Sequence, residues 1–312
     1  MGRGIAYALC LLASAGFVFH ACGGDRSDAF QRPEDAGEHS LLPIVMTTEL
    51  VVGANRFTFQ VLDAESQNIP DAEVGVRKAY LGDGDDELGP PQEASYLVLE
   101  LEALETVVDH RHPDGSLHVH STPFASGLYS VPLEFDRAGE WGVELEIGYR
   151  GDRERVPLVV TVLEDGATPG PGDPAPRTEN HTLTDLPLEE LTSDPQPDAG
   201  LYHETVADVL ASDRPLVVAF ATPAFCHSRV CAPVLEAVKQ VMASHAEAGF
   251  VHIEPFENLT DPANLRDSPF AAEWNLPNEP WVFVIDGNGI VSASFEGPFT
   301  VEELEEALAG AG

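Results

Sequence analysis

Residues 216–234 read LVVAFATPAFCHSRVCAPV, and the reading of the C-terminal half turns on them. The five residues from Leu216 to Phe220 are apolar without a break, as expected of a strand buried on both faces. Two cysteines follow, Cys226 and Cys231. Residues 232–247 then place Val234, Leu235, Val238, Val241 and Met242 on one face of an expected helix. Upstream, 205–212 reads as a short helix with Thr205 as its N-cap. Downstream, FVHI (250–253) and WVFVI (281–285) read as strands, and DGNG (286–289) as a hairpin turn into IVSASF (290–295). TVEE (300–303) opens a last helix as a capping box. Helix, strand, helix, strand, hairpin, helix is the order of a compact α/β unit.

Four features are held together by this order: the strand 216–220, Cys226 just before a helix, Pro233 early in that helix, and Glu279 with Pro280 ahead of WVFVID. On them, residues 201–312 resemble a thioredoxin-fold domain. The stretch GNGIVSASFEGPFTVEELEEAL (287–308) is similar to that family's closing hairpin and helix. The resemblance implies thiol–disulfide exchange that needs no cofactor. It also implies that Pro280 is a cis residue facing the redox cysteine, shaping the substrate groove and keeping metal off the thiols.

The residues themselves support thiol chemistry. A cysteine at a helix N-terminus sits beside unpaired backbone N–H groups and the positive end of the dipole, which favour thiolate. His227 and Arg229 add cationic character, and Phe225 precedes the first cysteine. Cys226 is therefore expected to attack and Cys231 to resolve, through a mixed disulfide.

The spacing departs from the family, whose pattern is Cys-x-x-Cys after a Trp; here four residues separate the cysteines. Residues five apart on a regular helix do not face each other, so a disulfide requires the first turn to unwind. The buried acid that many thioredoxins carry on the preceding strand is also missing, since Ala219 and its neighbours are apolar. The same four-residue gap occurs in peroxiredoxins of the bacterioferritin-comigratory type, a resemblance that implies a thiol peroxidase. Arg266 is then the candidate for its catalytic arginine, although Thr222 stands four residues before Cys226 where that family has three. A static disulfide, or idle thiols in a non-catalytic envelope binding module, remain as alternatives.

Residues 42–163 read differently. RFTFQVL (56–62) and GVELEI (142–147) alternate apolar with polar residues, and turn clusters at 63–66, 82–86, 113–116 and 137–139 separate about seven short expected strands. This pattern predicts an antiparallel sandwich. Residues 51–77 and 126–147 resemble exported immunoglobulin-like modules of the YtkA-like kind. Between the halves, residues 164–182 are rich in Pro and Gly and read as a linker. The expected layout is thus an all-β immunoglobulin-like sandwich at 42–163 followed by an α/β thioredoxin-like domain at 183–312.

The N-terminus directs the chain outward. Residues 1–21 combine an early Arg3 with an apolar run too short for a comfortable membrane span. The run ends at Ala21-Cys22, which resembles a bacterial lipoprotein cleavage site. That resemblance implies lipidation of Cys22, an anchor in a membrane and exposure to the periplasm or cell exterior. Residues 22–41 are polar and acidic and read as a tether. Of four cysteines, Cys10 leaves with the signal and Cys22 carries lipid. Cys226 and Cys231 therefore remain together in an oxidising compartment, as a redox pair or a local disulfide.

The 312 residues carry 16 Lys and Arg against 53 Asp and Glu, a formal charge of -37. Such a surface excludes nucleic acid as a partner and favours a soluble monomer. The expected partners are extracytoplasmic protein thiols or disulfides and a second redox protein. One further stretch is rich in chemistry. His110, His112, His118 and His120 flank a Pro-Asp-Gly turn, and on two paired strands each couple projects to one face. Such a cluster suits copper or zinc. Sco-like copper proteins also join a thioredoxin fold, two thiols and histidine, but with three residues between the cysteines and the histidine in the same domain. Metal handling is accordingly the second function class, and an unconnected solvated hairpin the plain alternative.

Overall fold

The computed structural model describes residues 29–37, 39–82, 86–98, 108–111, 117–120, 127–226 and 230–312, with the backbone alone for 108–111 and 117–120. The N-terminal half is built from β1 (Leu42–Val45), β2 (Gly53–Leu62), β3 (Glu73–Tyr80), β4 (Gln92–Glu93), β5 (Ser95–Val98), β6 (Val108–Arg111), β7 (Leu117–His120), β8 (Gly127–Phe135), β9 (Gly139–Tyr149) and β10 (Asp152–Val162). Two antiparallel sheets form, in the orders β1-β2-β8-β5 and β10-β9-β3-β4, while β6 and β7 pair separately. Alternation decides what lies between the sheets. Phe57, Phe59 and Val61 of β2 and Tyr129, Val131, Leu133 and Phe135 of β8 point to one core, as do Val74 and Val76 of β3 and Val143, Leu145 and Ile147 of β9. The Tyr129 hydroxyl is satisfied there: it donates to the Ile69 carbonyl at 2.7 Å and accepts from Ala72 N–H at 3.0 Å.

The acidic stretch before β1 is not a free tether from residue 29 onward. Phe30 is buried with Ala79 and Leu88, and its N–H donates to the Asp86 carbonyl at 2.7 Å. Its ring lies so close over Gly142 that a Cβ there would come within 2.6 Å of it. Ser40 donates from both N–H and hydroxyl to the Glu154 carboxylate, each at 2.8 Å, and Leu41 joins the main core. Isolated apolar residues in a polar run anchor it, which composition alone does not register.

The C-terminal half comprises α1 (Leu188–Leu191), α2 (Val206–Leu210), β11 (Leu216–Phe220), α3 (Cys231–Met242), β12 (Gly249–Ile253), β13 (Phe256–Glu257), β14 (Arg266–Asp267), α4 (Pro269–Ala272), β15 (Trp281–Ile285), β16 (Val291–Glu296) and α5 (Val301–Gly310). Its sheet has the order β12-β11-β15-β16, with β11 parallel to β12 and antiparallel to β15. Every residue of β11, β12 and β15 is buried, so both faces need cover. On one face Val217, Ala219, Val282 and Val284 pack with Val234, Leu235 and Val238 of α3 and Leu304 and Leu308 of α5. On the other, Leu216, Val218, Phe220 and Phe283 pack with Val206 and Val209 of α2 and with Trp274. Thr205 and Thr300 both close capping boxes. Among the described residues no helix is long and apolar enough to cross a membrane.

Residues 164–182 depart from the loose linker that their Pro and Gly content implies. They run beside β16, with Gly172 N–H donating to the Val291 carbonyl at 2.8 Å and Ala175 N–H to Gly289 at 2.9 Å. Thr178 is fully buried; its hydroxyl accepts from Trp274 Nε1–H at 2.9 Å and donates to Glu273 at 2.7 Å. Proline has no N–H to lose, so this segment can lie along a sheet edge with few wasted donors. Thr178→Val would leave the buried indole N–H without an acceptor. It is expected to lower stability by about 1–3 kcal/mol in denaturant titration; an unchanged midpoint would mean that the segment is only loosely laid on.

Candidate functional site

β11 ends at Phe220, and the chain then turns tightly: the N–H groups of Phe225 and Cys226 donate to the Thr222 carbonyl at 3.2 and 3.0 Å. Cys226 sits in this turn, half-buried, as is Phe225. Cys231 is the first residue of α3 and is fully buried. The two form a disulfide with their Cα atoms 6.0 Å apart, within the reach such a bond requires.

The helix begins at Cys231, one residue before the expected 232, and what this overturns is the expectation of a helix N-terminus at Cys226. Its N-terminal end falls at Cys231, so the backbone N–H groups and the positive dipole end belong to the second cysteine and not to Cys226. Pro233 supplies the reason. A proline is tolerated in the first turn, where no intrahelical acceptor is lost, but a helix starting near residue 227 would place it in the interior. Because Cys226 lies outside the helix, the four-residue gap closes without breaking a helical turn. The supporting residues His227 and Arg229 lie outside the described residues.

Pro280 precedes β15. Phe220 is in register with Trp281 across the β11–β15 pair, so Pro280 and the turn carrying Cys226 stand at the same end of the sheet. Pro280 is buried, and the Glu279–Pro280 bond is cis.

A buried acid is present after all, just beyond the end of a different strand from the one where it was sought. Glu254 follows β12 immediately and is 5% exposed. Its Oε1 accepts from the N–H and hydroxyl of Ser193, both at 2.6 Å, and the Ser193 oxygen in turn accepts from Ala224 N–H at 3.1 Å. The carboxyl is thus tied through one side chain to the turn that bears Cys226. Burial pushes it up to about 7, against the opposing hydrogen bonds from Ser193. Two residues earlier, His252 Nε2–H donates to the Ala221 carbonyl at 2.9 Å, which leaves Nδ1 to accept from the Tyr202 hydroxyl at 2.7 Å. Burial holds this imidazole down at about 4. The signal was available in FVHIEPF (250–256), where His252 and Glu254 interrupt an apolar run at a spacing of two. Both line a cleft of about 190 Å³, together with Tyr202, Ser268 and Phe270, which gives solvent protons a route to them.

Arg266 is exposed on β14, and its guanidinium lies 3.6 Å from Glu257. That makes it a surface ion pair, not a donor enclosed in a site as a peroxidase would need. The backbone of β6 and β7 forms the expected hairpin, with His110 in register with His118 and Val108 with His120. His112 and the side chains of His110, His118 and His120 lie outside the described residues, as does Cys22 with all of residues 1–28. Among the described residues no group of three or more His, Cys, Asp and Glu side chains is disposed to hold a metal ion.

No known protein family matches the chain, and no curated protein does. A solved structure to which it is similar is a thiol:disulfide interchange protein of the thioredoxin family from Chlorobium tepidum TLS. The identity is 19%, the TM-score is 0.31, and the match covers 47% of this chain and 98% of that one.

The buried pair makes opposing contributions to stability. Glu254 holds its proton in the folded state up to about pH 7 but loses it near 4.5 when unfolded, so it makes stability fall as pH rises through that window. His252 is protonated near 6.5 when unfolded and only near 4 when folded, so it makes stability rise with pH between those values. Glu254→Gln keeps an acceptor for Ser193 and removes the first contribution. The variant is expected to gain stability relative to the parent above pH 7, by roughly 3 kcal/mol at most. It should also show a steeper rise between pH 4.5 and 6.5. Parallel stability–pH curves for the two proteins would contradict this account.

Proposed function

We propose that this chain is an exported, lipid-anchored protein whose thioredoxin-like C-terminal domain catalyses thiol–disulfide exchange on extracytoplasmic proteins, carried behind an immunoglobulin-like module. The observation that carries the reading is the asymmetry of the disulfide: Cys226 is partly exposed in a turn, while Cys231 is fully buried at the start of α3.

The asymmetry supports the following order of events. A substrate thiolate attacks the Cys226 sulfur, forming a mixed disulfide as the Cys226–Cys231 bond breaks and its electron pair leaves on Cys231. That thiolate departs at the N-terminus of a twelve-residue helix, where the backbone dipole stabilises negative charge. A second substrate thiolate then attacks the substrate sulfur of the mixed disulfide and releases Cys226, so the substrate is oxidised by two electrons and the protein pair reduced. The reverse sequence reduces a substrate disulfide. A partner dithiol or disulfide resets the pair, and Pro280 borders the place where the substrate chain lies.

A merely stabilising bridge is the weaker reading. Closing so short a loop constrains the unfolded chain least, by about 2 kcal/mol on the chain-entropy account. It would also not need to place one sulfur within reach of solvent.

In the expressed full-length chain, Cys231→Ser is expected to accumulate mixed disulfides through Cys226, seen as thiol-reversible adducts on non-reducing gels. Cys226→Ser should trap none. Absence of adducts with Cys231→Ser, under conditions where the protein is folded, would contradict the proposal.

A further inference from the structure

β2 and the segment leading into it are bonded to the C-terminal half at three places, and one of them reaches the loop that carries Pro280. Thr48, exposed in that segment, donates its N–H to Glu296 Oε2 at 2.8 Å and its hydroxyl to Glu296 Oε1. Glu296 ends β16 directly opposite Trp281, and its Oε1 also accepts from Asn278 Nδ2–H at 2.8 Å. Asn278 Oδ1 in turn accepts from Trp281 Nε1–H at 2.8 Å. Asn278 and Trp281 are the residues on either side of Glu279 and Pro280. A continuous chain of hydrogen bonds therefore runs from the N-terminal sheets to both ends of the loop.

Arg56 of β2 supplies the second anchor. Its Nε and Nη2 donate to the two oxygens of Glu303 at 2.9 and 3.1 Å, and Nη2 also donates to the Pro298 carbonyl at 3.0 Å. The pair is mostly enclosed, with side chains 17% and 25% exposed, which separates it from a screened surface contact. Glu303 also closes the capping box of α5, and Pro298 is two residues beyond Glu296, so Arg56 pins the chain where it leaves β16. The third anchor is Glu49, which accepts from the N–H groups of Ala167 and Thr168 while the Thr168 hydroxyl donates to Asn275 at 3.2 Å.

A loop needs no such attachment merely to join two strands. Glu296 takes two of its three bonds from Thr48, so the orientation of its carboxylate, and with it the hold on Asn278, depends on the N-terminal half. We propose that the N-terminal sheets are a positioning element for the exchange site: Thr48, acting through Glu296 and Asn278, holds the 278–281 loop at the end of the sheet where Cys226 emerges, while Arg56 pins the chain beyond β16 at Pro298 and Glu303. The physical coupling stands on these contacts alone; its consequence for catalysis rests on the exchange reading above. A small thiol needs only the partly exposed Cys226, whereas a protein disulfide must also lie against the loop, so the two kinds of substrate should respond differently.

The test compares the full chain with Thr48→Val/Arg56→Met and with Thr48→Ser. Hydrogen–deuterium exchange of a peptide spanning residues 275–282 is measured, together with insulin-disulfide reduction and reaction with dithiothreitol. The double variant is expected to exchange the loop amides faster and to raise KM for insulin about tenfold, the factor corresponding to one lost net hydrogen bond. Its kcat and dithiothreitol rate should stay within about twofold of the parent, a split that a general loss of structure would not give. Thr48→Ser keeps both bonds and should behave as the parent. If the double variant does not fold, Thr48→Val alone, at an exposed position, carries the same comparison. Unchanged loop protection overturns the proposal, and so does lost protection with an unchanged KM. A parent that reduces no insulin refutes the exchange reading instead, and loop protection still decides the coupling.

Discussion

The three-strand register of β12, β11 and β15 is the constraint on which the rest depends. Phe220, the last residue of β11, is paired with Ile253 on one side and Trp281 on the other. A parallel neighbour and an antiparallel neighbour therefore bring the end of β12, the end of β11 and the start of β15 to one edge. Glu254, the Cys226 turn and Pro280 follow from that fact alone. All three strands are buried on both faces, so a slip of one residue would exchange the two core layers along the whole sheet. The site is consequently as well fixed as the core beneath it.

Much of this was legible where a pattern is local and repeated. The unbroken run from Leu216 to Phe220 marks a doubly covered strand, and the Thr205 N-cap and the Thr300 capping box mark two helix starts. The turn at residues 286–289 likewise placed the hairpin. What could not be read depends on distant partners. Phe30, Ala175 and Thr178 each sit in polar or Pro-rich sequence, and only the surfaces they meet make them anchors. The start of α3 was read to within a residue, but its dipole was assigned to Cys226, although Pro233, confined to a first turn, already puts that helix end at the second cysteine. Glu254 was overlooked because the search for a buried acid followed β11, whereas the sheet register brings the end of β12 equally close to the redox turn.

Charge explains a further part of the arrangement. With 16 cationic side chains against 53 acidic ones, most carboxylates must be left to solvent. The cations that are enclosed are used in networks. Lys239 bonds to Asp194 at 3.0 Å and to Glu236 at 2.9 Å, close in sequence to Ser193 and its link to Glu254. Arg56 joins the two halves next to β16. The first network therefore braces the segment tied to the Cys226 turn and the second the chain leaving β16, while the exposed acids keep the outer surface negative and set it against polyanions.

The central claim is that Cys226 and Cys231 exchange electrons and do not simply staple a loop. It is tested most directly by equilibrating the full-length protein with thiol–disulfide buffers of stepped potential and counting free thiols by alkylation mass shift. The account predicts a reversible two-electron transition between about -270 and -120 mV, the span of exchange enzymes. A pair that remains oxidised below about -300 mV would behave as a structural bridge and would contradict it.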